Sequence, residues 1–174
     1  MSAIVNLTLP VVFRRTVQGH PGAIAMAHKV DGSWQTITYR EFQDHAEAVA
    51  AALIDSGILP GDRVCVLSAN RPEWLIADQG ILSTGAANVP IYPTLTAPQI
   101  RYLLQDSGAK ALFVSDPTQL AKVLEVAHET PSLGHIVLMS GDVPEGAKVP
   151  VEPWTACLAR GASRKGELLQ EIEA

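Results

Sequence analysis

The sequence predicts an α/β fold: a mainly parallel sheet with helices on both faces, built from βαβ repeats and preceded by a hairpin and helix. Three observations carry that expectation. Short apolar runs at Val64–Leu67, Ala87–Ile91, Ala111–Val114 and Ile136–Met139 begin about 24 residues apart, enough for one strand, one helix and two short loops. The runs are apolar throughout rather than alternating, as befits strands covered on both faces. Each segment between them also carries helix start and stop signals.

Taken in order, residues 1–22 read as a lead-in strand or loop. The stretch MSAIVNLTLPVVFRR is broken by Asn6, Thr8 and Pro10, its basic pair comes late, and no small-residue cleavage site follows, so it is not an export signal. Asn6-Leu7-Thr8 spells a glycosylation sequon, which means little without export. Ala23–His28 and Trp34–Thr38 flank Asp31-Gly32, a two-residue hairpin signal. Thr38 with Glu41 forms a capping box for a helix burying Phe42, Ala46, Val49, Ala50 and Leu53 and closing at Gly57.

Asn70 with Glu73 caps the next helix, and Thr96 with Gln99 the one after. Gly85 and Gly108 sit where those two helices end. Asp116-Pro117 opens a third, with Leu120, Val123, Leu124 and Ala127 at helical period. The α/β subdomain therefore spans 23–140. From 141 to 174 the order fades into a Pro/Gly-rich tail punctuated by Pro144, Pro150 and Pro153, with Lys165–Glu173 as a short exposed terminal helix.

Composition excludes several functions. The 174 residues are 47% hydrophobic with a net charge of −5, and the 13 basic residues are scattered. Nucleic acid is therefore not an expected partner, because phosphate neutralisation needs concentrated Lys and Arg. No apolar run approaches the roughly 20 residues of a membrane span; peripheral membrane contact stays open. Cys65 lies within an apolar run, which suits a buried, inert thiol, and Cys157 stands in a different environment far along the chain; two lone cysteines fit a reducing cytoplasm.

No complete catalytic site can be assembled from the motifs. Gly141-Asp-Val-Pro-Glu-Gly146-Ala-Lys148 nearly spells a phosphate loop. Pro144 removes a backbone donor, Lys148 is displaced by one residue, and Val149-Pro150 stands where a hydroxyl and a helix should be. It reads as a surface turn. Neither a GxGxxG turn nor a GxSxG elbow is present. His20, His28, His45, His128 and His135 lack metal-ligand spacing, with His45 and His128 expected on helix surfaces. Glu41 and Asp44 read as a solvated first turn rather than an acid/base couple. No catalytic, cofactor-binding or metal-ligating residue is assigned.

Three stretches carry a family likeness. Thr36-Ile-Thr-Tyr39-Arg-Glu-Phe42 resembles the first core motif of the adenylate-forming synthetases, "LTYREL". Ile81-Leu-Ser-Thr-Gly85-Ala-Ala-Asn-Val-Pro90-Ile-Tyr resembles their second, "LKAGxAYVPID", and Gly61-Asp-Arg-Val64 with Asn70-Arg-Pro-Glu-Trp74 matches the join between. Val89-Pro-Ile-Tyr-Pro-Thr94, with Gln99-Ile-Arg-Tyr-Leu-Leu104 and Ser107-Gly-Ala-Lys110, is most similar to the long-chain fatty acid–CoA ligase branch. The resemblance spans about residues 7–140 in order.

It implies activation of a fatty acid by ATP to an acyl-adenylate, then transfer to coenzyme A, with Mg²⁺ assisting. In the family the phosphate loop, "YTSGTTGxPKG", begins shortly after a segment like Leu168–Ala174. On that basis ATP, Mg²⁺ and coenzyme A belong to the complete enzyme and none is expected to bind this chain alone; the fatty acid would be held by later chain. Tyr92 and Thr94 are read mainly as structural, with a minor part in shaping an acid pocket. Two alternatives stay open: a module that complements a separately encoded remainder, and a flavodoxin-type nucleotide-binding domain. Uncovered apolar surface also leads us to expect marginal stability or self-association.

Overall fold

The structure is a computed structural model that describes residues 7–168. It contains helix α1 (Leu9–Gly19), the antiparallel hairpin β1 (Ile24–Val30) and β2 (Ser33–Thr38), and helix α2 (Tyr39–Asp55). There follow β3 (Arg63–Leu67), α3 (Pro72–Ser83), β4 (Ala87–Ile91), α4 (Ala97–Ser107), β5 (Ala111–Val114), α5 (Pro117–Val126) and β6 (His135–Leu138). The chain then adds β7 (Val151–Pro153) and α6 (Trp154–Leu168).

The hairpin turns at Asp31 (φ 49°) and Gly32 (φ 80°), the two left-handed residues that a type I′ turn requires. Thr38 caps α2 as expected: its backbone N–H donates to Glu41 Oε2 at 2.8 Å, and its hydroxyl accepts from the Glu41 N–H. Gln99 likewise accepts from the Thr96 N–H at 3.0 Å, and Asp116 accepts from Thr118 and Gln119. Gly108 closes α4 in the left-handed region.

Five parallel strands form the main sheet in the order β4-β3-β5-β6-β7. Their side chains divide cleanly. Val64, Val66, Ala111, Phe113 and Val137 meet α2, α3 and α6 on one face, while Cys65, Leu67, Leu112, Val114, Ile136 and Leu138 meet α4 and α5 on the other. The alternation separates two cores, as the strand pleat demands. Within α2, every residue from Ala48 to Leu53 is buried. Alanines there let neighbouring helices close in, and Gly80 of α3 completes one contact, since a Cβ at that site would stand 2.6 Å from Val49 Cγ1.

Three expectations need correction. Leu9–Gly19 of the lead-in is not strand or loop but α1: Pro10 suits a first turn, and Phe13 and Val17, four apart, turn onto one face. Phe13 stacks on Phe42 with ring centroids 4.6 Å apart. Residues 1–6 lie outside the description. Asn70 does not cap α3; Arg71 takes the N-cap position without a side-chain cap hydrogen bond, held extended (φ −160°, ψ 161°) by the proline that follows, while Glu73 is taken by the Arg71 guanidinium.

The third correction concerns the tail. Val151–Pro153 joins the sheet beside β6, and α6 starts at Trp154, eleven residues before the expected helix. Trp154, Cys157, Leu158 and Gly161 repeat at i, i+3, i+4 and i+7, a helical stripe disguised by its glycine. Trp154 meets Phe113 edge-on at 6.1 Å. Residues 169–173 of the expected terminal helix fall outside the description.

Candidate functional site

From β3 the chain moves outward to β4, then returns to the far side of β3 at β5. The direction reverses between β3 and β5, and open α/β sheets take their ligands in the crevice at the carboxyl end of such a point. The crevice here has a volume of about 530 Å³ and is walled by Asn70, Arg71, Ser115 and Asp116, with His28 and Lys29 from β1. A second groove of about 430 Å³ shares His28 and Arg71 and runs on past Met26, Trp74 and Leu75.

Arg71 occupies the centre. Its Nη1 donates to the Ser115 carbonyl at 3.0 Å and to Ser140 Oγ at 3.2 Å, while Nε and Nη2 donate to the Glu73 carboxylate at 2.8 and 3.1 Å. Ser140 Oγ also donates to the Ser115 carbonyl at 2.7 Å. One guanidinium thus ties the ends of β3, β5 and β6 together. For Glu73, burial raises the pKa, and the Arg71 hydrogen bonds and charge override it to leave the carboxyl below its usual range. At Asp116 burial is likewise outweighed, by hydrogen bonds from Ser115, Gln119 and Thr118. Both stay ionised at neutral pH.

Four of the five Arg71 donors are committed to the protein itself. The turn after β3 is Ser68-Ala69-Asn70-Arg71, without glycine, and Ser68 Oγ donates to its neighbour's carbonyl at 2.7 Å. A phosphate needs consecutive free N–H groups at a helix start, and here Pro72 supplies none. The arrangement can brace three strands; as it stands it offers an anion little.

Other sequence candidates are dispersed. Gly141–Lys148 is largely exposed and leads into β7 rather than a helix. Glu41 caps α2 and Asp44 pairs with Lys165 at 3.1 Å, so they form no acid/base couple. His45 and His128 are exposed. Tyr92 is 76% exposed, on a loop that Lys122 Nζ fixes by donating to the Pro93 and Leu95 carbonyls at 2.8 and 3.0 Å. Burial raises the Cys65 thiol to about 11, and burial with the nearby Glu152 charge raises Cys157 to about 12. The sequence reading gives Arg71, Ser115 and Ser140 no role, because residues 71 and 140 meet only through the sheet order. Among the described residues, no three His, Cys, Asp or Glu side chains gather as a metal site, and no helix is long and apolar enough to cross a membrane.

A model of the AMP-binding enzyme family matches residues 13–161. The chain belongs to that family. It is 37% identical to the long-chain-fatty-acid–CoA ligase FadD15 of Mycobacterium bovis over 147 residues, which is 80% of this chain and 24% of the relative. It is 30% identical to the long-chain-fatty-acid–CoA ligase ACSBG2 of Gallus gallus over 167 residues, 95% of this chain and 22% of that one. Its fold matches the crystal structure of the anthranilate–CoA ligase AuaEII in complex with anthranoyl-AMP, with a TM-score of 0.80 at 24% identity, covering 90% of this chain and 29% of that one. The chain spans about a quarter of the length of the curated relatives it matches. An AMP-binding enzyme must cradle phosphates; among the described residues Arg71 walls the switch-point crevice with its guanidinium engaged by Ser115, Ser140 and Glu73, and the loop Gly141–Lys148 leads into β7 rather than a helix.

Proposed function

We propose that this chain is the N-terminal scaffold of an AMP-forming ligase that activates a long-chain fatty acid, using ATP and Mg²⁺, and passes it to coenzyme A. One observation carries the reading: the family match over residues 13–161 includes every strand of the parallel sheet, while the chain spans about a quarter of the length of the ligases it resembles. The identity to long-chain-fatty-acid–CoA ligases supports the acid. The 174 residues alone are inactive under this reading. Purified chain should give no ATP–pyrophosphate exchange above background with palmitate or acetate. Exchange that survives repurification and is lost in a variant of this chain would refute it.

A second reading, a separate subunit that completes a synthetase encoded elsewhere, draws support from Leu59, Leu75 and Tyr102, which are 61%, 43% and 63% exposed. Co-expression with the remaining three quarters of a relative separates the two. Recovery of a stable complex with ligase activity favours complementation; two unassociated chains oppose it.

A further inference from the structure

We draw no further inference here: the strongest candidate, the crevice between β1 and α3 where the buried His28 Nδ1 finds no hydrogen-bond partner among the described residues, belongs to the site already described, and nothing in the structure shows what covers it.

Discussion

Glycine at position 161 is an interhelical contact rather than a flexible point. A Cβ there would run into the carbonyl oxygen of Ala48, a backbone atom in the middle of α2 that no rotamer change can move. Gly161→Ala should therefore destabilise the chain by about 3 kcal/mol, even though alanine is the better helix former. Gly80→Ala should cost less, because its Cβ would stand 2.6 Å from Val49 Cγ1 and 3.0 Å from the Ala46 carbonyl oxygen, a milder overlap than at position 161. Urea denaturation of both variants checks the order. Glu152 makes a second residue-level case. Burial raises its pKa, but hydrogen bonds and charge from His135 and Arg160 prevail and lower it from 4.5 to about 2. A carboxylate held below its unfolded value stabilises the fold above about pH 4.5 and gives that up as the pH falls towards 2. Stability of the wild type should thus decline across that window, and Glu152→Gln should be less stable at neutral pH with a flatter acid limb.

At the scale of elements, the caps and one tether make separate contributions. Thr38→Ala and Asp116→Ala should each cost about 1 kcal/mol in urea denaturation, and roughly additively, since they cap different helices with no shared partner. Lys122→Met should leave global stability nearly unchanged while the amides of 92–96 exchange faster, because the lysine fixes that loop through two carbonyls. Sequence patterns located most of these elements. Hairpin, strands and capping boxes were legible because each depends on residues within four or so positions. The α3 boundary was misread since two rules competed there, and the proline's restriction of Arg71 overrode the capping preference of Asn70.

For the whole molecule, α6 matters more than its place near the end suggests. It covers the alanine face of α2, and five ion pairs fasten it: Arg160 to Asp55 at 2.9 Å and to Glu152 at 2.6 Å, Arg164 to Asp55, and Lys165 to Asp44 at 3.1 Å and to Glu47 at 2.5 Å. A chain ended after Pro153 should expose Ala48 and Ala52, lose cooperative melting and associate; a sharp monomeric melt of that shortened chain would contradict this. In the intact chain Cys65 and Cys157 should resist a thiol reagent until unfolding, because both are buried and their thiolates suppressed. A reaction rate that follows urea unfolding would confirm it.

Sequence alone determined the α/β class, the hairpin with its turn and the positions of β3 to β6, because hydrophobic period and turn chemistry are local properties. Resemblance of short ordered motifs pointed to the family for the same reason. Tertiary structure decided the strand order, the switch point that Arg71 closes by joining residues 73, 115 and 140, and the docking of β7 and α6. Those features depend on partners up to about a hundred positions apart, and no periodicity within a single stretch records which distant segment will be its neighbour.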